Sequence, residues 1–380
     1  MEMKTLGTVA TYINGRAFKP SEWEKAGMPI IRIQNLTSEN APYNYSKGIF
    51  EEKYIVHNGD LLFAWSASLG AHIWKGQDAW LNQHIFKVLP KEGIDRDYLY
   101  YFLLAVVAEL YAKTHGSGMV HITKAPFMNT PIPVPSLPEQ QRIVSRIEEL
   151  FSQLDAGVET LKKTKAQLAV YRQAVLKEAF AVCKEYVAIE SVTQHVTDGD
   201  NMPPPKADNG IPFIMISNIK GNAISWGNTA FVGRDYYDSI EPKRKPQNGD
   251  VLYTVTGSYG IPVLVDFNKE FCFQRHIALL RPNDAIEQKY LYYSLMEPSV
   301  YAQATKGATG TAQKTVGLGI LRKIEIPFIE NHSDQLRIVE AIESRLSVCD
   351  SIEHTVDTAL QQAEAMRQSI LKNAFEGKLT

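Results

Sequence analysis

The side chains best suited to chemistry in this sequence are polar loops that recur in pairs. Ser66, Ser68 and Gly70 correspond in type and order to Thr256, Ser258 and Gly260, each set following an apolar run. Further along, Lys113, Thr114, His115, Ser117 and Lys124 correspond roughly to Lys306, Thr309, Thr311, Gln313 and Lys314, in Gly-, Ser- and Thr-rich stretches after Gly116 and Gly307. Hydroxyls, amides and scattered lysines are the groups that donate to phosphate oxygens and to base edges. Any one of these residues would equally suit an ordinary surface loop. The duplication tips the balance, because both copies keep the loop chemistry while differing in the residues themselves. Apart from Gly70, Gly260 and Gln313, all of them are candidate DNA-contacting residues.

Catalytic patterns are largely missing. No GxxxxGK[ST] phosphate loop occurs, so ATP hydrolysis is not expected in this chain. Asn201-Met202-Pro203-Pro204-Pro205 resembles the Asn-Pro-Pro-aromatic tetrapeptide of amino-methyltransferases, but the aromatic is missing and no glycine-rich cofactor loop precedes it. It reads as a proline-rich loop, and Glu241-Pro242-Lys243, without a suitably spaced acid in a strand, as a solvated turn. His115 and His121 flank Gly-Ser-Gly rather than sitting at fixed spacing on an ordered element, as a metal pair would. His84 and His276 share one repeat position on strands and read as structural, since no partners for a duplicated active site are duplicated with them. Cys183, Cys272 and Cys349 lie far apart with no CxxC pair, which predicts neither zinc nor disulfides and fits a reducing cytoplasm. No catalytic residue, metal or cofactor is expected in the chain itself.

The elements that must position those loops come in two copies. EQQRIVSRIEELFSQLDAGVETLKKTKAQLAVYRQAVLKEAF from Glu139 aligns without a gap onto DQLRIVEAIESRLSVCDSIEHTVDTALQQAEAMRQSILKNAF from Asp334, with 16 of 42 positions identical. Upstream, with small gaps, MPIIRIQNLT from Met28 matches IPFIMISNIK from Ile211, and NGDLLFAWSASLG from Asn58 matches NGDVLYTVTGSYG from Asn248. DYLYYFLL from Asp97 matches KYLYYSLM from Lys289, and IPVP at Ile132 matches IEIP at Ile324. A tight helical match beside a gapped globular match marks the helix as shared scaffold and the globular part as diverged.

Ile147, Leu150, Leu154, Val158, Leu161, Leu168 and Val175 make a helical seam in the first long segment, with Ser136 and Glu139 as a capping box. Ile338, Ile342, Leu346, Ile352, Val356, Leu360 and Ile370 make the second, with Asn331 as cap. Each helix is predicted to run roughly 60 Å at 1.5 Å per residue. Chain order lets the second helix bury its seam only by running back along the first, so an antiparallel two-helix coiled coil is expected, with the globular parts at its opposite ends about an approximate twofold. Runs such as IIRIQ from Ile30, LLFAW from Leu61, HIFKVL from His84, FIMIS from Phe213, VLYTV from Val251 and HIALL from His276 predict strands. Tyr98 to Tyr111 reads as a buried helix, too short and too charged to span a bilayer. The fold class is α+β: two β-rich mixed α/β domains, 1–137 and 181–332, each followed by a long conserved helix, 138–180 and 333–380.

The (E/D)QxRIV helix starts, the IPVP and IEIP lead-ins and the R-Q-S-I-L-K-N-A-F-E-G-K-L helix end from Arg367 make the chain resemble, over essentially its whole length, the specificity subunit of Type I restriction-modification systems. The first helix departs from that pattern, continuing AVCKEY where the second has EGKL. The resemblance implies a non-catalytic DNA-binding subunit with two target-recognition domains, each reading half of a split, asymmetric site in double-stranded DNA. It also implies helices that act as a ruler and dock two methyltransferase (modification) subunits, joined by restriction subunits with translocase and nuclease activity. S-adenosylmethionine, ATP and magnesium would belong to those partners. Arg142/Arg337, Arg172/Arg367, Gln173/Gln368 and Phe180/Phe375 are the helix-signature positions taken as candidates for partner docking. The net charge of −2, from 40 Lys and Arg against 42 Asp and Glu, runs against the basic surplus usual in polyanion binders, so any basic surface must be local. The alternatives are a self-sufficient DNA methyltransferase or nuclease, and a structural coiled-coil linker.

Overall fold

The structure is a computed structural model; it describes the chain except residues 1, 39, 67, 114–123, 200–203, 312 and 380, and gives no side chains for 108–113 and 124. The chain divides into two compact units, Met1–Lys162 with Asp357–Thr380, and Lys163–Val356. Each unit therefore holds one globular segment and part of each long helix.

The duplication seen in the sequence is a duplication of topology. In the first unit Glu2–Thr5 pairs antiparallel with Pro131–Val134. A four-stranded antiparallel sheet follows in the order Ala10–Asn14, Ile85–Pro90, Leu61–Ala64, Gly70–Ile73. A second sheet is ordered Asn44–Ser46, Met28–Ile31, Ala79–Leu81, Ile55–Val56, with its middle two strands parallel. The second unit repeats this: Glu185–Ala188 with Glu325–Phe328, then Thr193–Asp198, Ile277–Pro282, Val251–Thr254, Pro262–Leu264. Its other four-stranded sheet runs Lys206–Ala207, Ala230–Val232, Ile211–Ile214, Cys272–Phe273, the last two again parallel.

The central strands are buried on both faces, which is why LLFA and VLYT are continuous apolar runs rather than alternating ones. Leu61 and Phe63 enter one core and Leu62 another; Val251 and Tyr253 part from Leu252 in the same way. Each of these strands is launched by the Asn-Gly-Asp turn. Gly59 and Gly249 adopt φ of 91° and 95°, and the carboxylates of Asp60 and Asp250 accept the N–H of His57 and Gln247, both at 2.8 Å. Arg281 then closes on Asp250 with two bonds, of 2.8 and 2.7 Å.

Three local features differ from expectation. The strand expected over IIRIQ stops at Ile31, and Ile33–Thr37 is helical, because Asn35 Oδ1 accepts the Arg32 N–H at 3.0 Å and turns the chain. Asn218 does the same to Met215 at 3.0 Å. The single buried helix of the first unit, Arg96–Lys113, has two counterparts in the second, Gln288–Leu295 and Pro298–Gly307, since Pro298 has no N–H with which to continue. Ile352, expected in the seam, is 40% exposed, and Cys349 at 1% takes its place. The buried row 349, 356, 363 and 370 advances by strict sevens, and 352 falls off that stripe.

The long helices span Leu137–Phe180 and His332–Phe375. The Glu139 and Gln140 N–H groups both donate to the Ser136 backbone carbonyl, so the first helix starts on a main-chain acceptor and not on the side-chain capping box expected of Ser136 and Glu139, whereas Asn331 Oδ1 accepts the Ser333 N–H at 2.9 Å as a true cap. Within the second unit Lys165 meets Glu353, Arg172 meets Asp350, and Glu178 meets Arg345. One number rises as the other falls, so the two helices run antiparallel. The first unit carries the repeat-related pair, Asp155 with Arg367.

Candidate nucleic-acid interface

The polar loops of the second unit converge. Past Thr254 the chain leaves its strand and is held on two sides by backbone bonds: Val255 N–H to the His276 carbonyl at 2.9 Å, and Val316 N–H to the Val255 carbonyl at 2.8 Å. Gly257 N–H donates to the Lys314 carbonyl at 2.9 Å, while Thr309 and Thr315 exchange bonds of 2.9 and 2.8 Å. Thr256, Ser258, Thr309, Thr311 and Lys314, distant in sequence, thus share one patch. Ser258, Thr309, Thr311 and Lys314 are exposed, as is Lys306 in the last turn of its helix. Thr256 is buried and accepts a bond from the Thr315 hydroxyl at 3.3 Å, so it staples the loop instead of facing solvent.

In the first unit Ser66 is buried and Ser68 exposed, repeating the inward and outward pair of Thr256 and Ser258. Trp65 N–H donates to the His84 carbonyl at 3.2 Å, and its indole N–H to Asn14 Oδ1 at 3.2 Å. Thr114, His115 and Ser117 lie outside the described residues, as do the side chains of Lys113 and Lys124 and the loop residues Asn201, Met202 and Pro203.

In both units the polar loop therefore abuts the turn holding His84 or His276, a neighbour visible in the sequence only as a repeated histidine. Burial, and secondarily the charge of Arg275, hold the His276 imidazole below its usual 6.5, so it is neutral at pH 7. Arg275→Gln removes the second cause and should move the His276 titration upward toward 6.5, read by NMR of the ring protons. No upward movement would mean that the Arg275 charge does not reach the ring.

The helix-signature residues divide in two. Arg142, Arg337, Gln173 and Gln368 point outward, Arg337 toward Asp334 at 3.1 Å and Gln368 toward Glu364 at 3.3 Å. Arg172 and Arg367 are spent on helix-to-helix ion pairs inside their units. Phe180 stacks edge-on against Tyr290, and Phe375 against Tyr98 and Phe102, anchoring each helix end in a domain core. Among the described residues no cluster of three His, Cys, Asp or Glu stands ready for a metal, and no helix is long and apolar enough to cross a membrane.

Residues 1–169 and 196–362 match the family described as Type I restriction modification DNA specificity domain. The specificity subunit of the Type I restriction enzyme EcoBI from Escherichia coli is 26% identical over 99% of this chain and 85% of its own length. That of MjaVIII from Methanocaldococcus jannaschii is 24% identical over 87% and 81%. Among solved structures, one reporting the structural basis of complex assembly and conformational transition of the type I R-M system superposes with a TM-score of 0.74, at 20% identity over 99% of this chain and 98% of the other. The HsdS subunit from Thermoanaerobacter tengcongensis superposes at 0.54, also at 20% identity, over 99% and 97%. At such identities the structural likenesses speak to the fold.

Proposed function

Because the chain belongs to the Type I restriction modification DNA specificity family, with two target-recognition domains in tandem, we propose that each domain reads one half of a bipartite, asymmetric DNA site and that the long helices set the half-site spacing. The observation that carries this reading is the uneven divergence of the repeat. Both units keep one strand-and-turn frame, and although Ser68 and Ser258 are shared, Arg32, Gln34 and Gln83 on the first stand where the second has Met215, Ser217 and Arg275, as two readers of different sequences require. A linker protein would have no reason to keep the frame and vary only what it presents.

The chemistry would lie elsewhere. Methyltransferase subunits would supply S-adenosylmethionine-dependent methylation, and restriction subunits ATP-driven translocation and cleavage. Their docking would fall on the outward helix positions Arg142, Arg337, Gln173 and Gln368. With a near-neutral chain, binding would lean on base contacts and on partner subunits more than on a phosphate-neutralising surface. Methylation of DNA by the purified chain with cofactor and no partner would overturn this division of labour.

The ruler is tested by length. Four residues inserted into the first helix and four at the matching place in the second add roughly 6 Å of rise. The expected result, read by selecting duplexes from a random pool with the assembled complex, is a longer non-specific spacer between two unchanged half-sites. An unchanged spacer would sink the ruler.

A further inference from the structure

We infer that the base-reading surface of the first unit is centred on Arg32, flanked by Trp23, Gln34 and Gln83, and that its counterpart in the second unit is centred on Arg275. This rests on the reading above and names the side chains that would carry it.

The frame under the two surfaces is the same, bond for bond. Asn82 N–H donates to the Ile31 carbonyl at 3.3 Å, and Gln274 N–H to the Ile214 carbonyl at 2.9 Å. Ile85 N–H donates to Asn82 at 3.2 Å and Ile277 N–H to Gln274 at 3.0 Å. Asn35 and Asn218, both buried, make the same turn beneath. The side chains presented on this frame are exchanged: Arg32 stands where the second unit has Met215, Gln34 where it has Ser217, and Gln83 where it has Arg275. Each surface thus keeps an arginine, but at a different address.

An independent observation concerns where the arginines are spent. In the two globular segments Arg16 pairs with Glu22, Arg96 with Asp97, Arg234 with Glu270, Arg244 with Asp198 and Arg281 with Asp250, while Arg322 donates to the Val196 carbonyl. Among the described residues Arg32 and Arg275 alone in those segments have neither a carboxylate nor a carbonyl. Arg32 lies 5.4 Å from the Trp23 ring centroid, on the wall of an open cavity of about 350 Å³ that also takes in Gln34 and Gln83. Gln34 spends one amide donor on the Pro42 carbonyl at 3.0 Å and keeps its oxygen as an acceptor. A guanidinium with free donors beside an aromatic plane and amide groups suits a guanine edge, which offers O6 and N7 to a bidentate arginine.

The test uses the full chain assembled with methyltransferase subunits and a random duplex pool. Arg32→Met and Arg275→Gln each install the residue that the other unit carries at that position, so the frame has a precedent for both. Arg32→Met is expected to weaken preference for one guanine of the first half-site by about 10- to 100-fold and leave the second half-site unchanged. Arg275→Gln should do the converse. A loss spread evenly over all sequences would mean phosphate contacts and would overturn the inference. The inference also fails if neither variant alters preference while exchange of residues 181–332 for a homologous segment changes the second half-site. If that exchange changes nothing, the bipartite reading itself falls. Should Arg32→Met fail to fold, Arg275→Gln, at an exposed position, decides alone.

Discussion

Gly199→Ala is expected to unfold the second unit, and Gly15→Ala the first, each losing about 4 kcal/mol or more against a typical domain stability of roughly 5–15 kcal/mol. These glycines end equivalent strands and pass beneath the turn that opens each reading surface. A methyl group at Gly15 would overlap the Asn82 carbonyl, and one at Gly199 the Phe273 carbonyl. Neither obstacle is a side chain that can swing aside. The chain at Gly15 is bonded to Ile85, and at the next residue to Leu81, at 3.1 and 2.9 Å, and Gln274 is bonded to Ile214 at 2.9 Å, so yielding breaks the ladder on both sides. Gly157, inside the first long helix, is the control: a methyl there meets nothing within 4 Å, and Gly157→Ala should stabilise by about 1 kcal/mol through helix propensity. Urea unfolding of the full-length chain measures all three. Gly15 and Gly199 variants within about 1 kcal/mol of the parent would show that the frame is softer than its hydrogen bonds imply.

How far the sequence foretold this molecule depends on the range of the interaction. The long helices were legible because a seven-residue repeat is local: the starts after Ser136 and Asn331 and the first end at Phe180 fall where spacing placed them, whereas the second helix, expected to run to 380, ends at Phe375, just ahead of Gly377 at φ 73°. The strands were legible where they are apolar throughout, as at Leu61–Ala64 and Val251–Thr254, and misjudged where one asparagine redirected the chain after Ile31. The candidate loops were found as composition, but composition does not reveal direction. It takes the Thr315 bond to show Thr256 turned inward while Ser258 faces out. Arg32 and Arg275 carry no sequence signal for a related reason, since they occupy different repeat positions and only the folded turn brings those positions onto corresponding faces. The parallel pairing of Met28–Ile31 with Ala79–Leu81, which builds that face, joins segments some fifty residues apart and leaves no local trace.

The other large expected effect lies at the joint between globular segment and helix. Gln140 and Gln335 are identical in the repeat, each is the fourth residue of its long helix, and each is fully buried. Gln140 donates to the carbonyls of Gly93 and Pro135, both at 2.9 Å, and accepts the Asp95 N–H at 2.8 Å. Gln335 donates to Ala285 and Ile329 at 3.0 and 2.7 Å and accepts from Glu287 at 2.7 Å. One amide therefore ties the helix start to the loop that opens the buried helix of the same unit. Replacing it leaves three backbone groups without that partner, at about 1–3 kcal/mol for each one that water cannot reach in its place. Gln335→Met keeps the volume and loses the bonds, whereas Gln335→Ala loses both; the two should destabilise the second unit similarly, by several kcal/mol, if the bonds dominate. A methionine variant as stable as the parent would assign the position to packing instead. Where Gln335→Met still folds, base preference at the second half-site should blur while the first stays sharp, because the surface that reads and the helix that measures would no longer be held in one register.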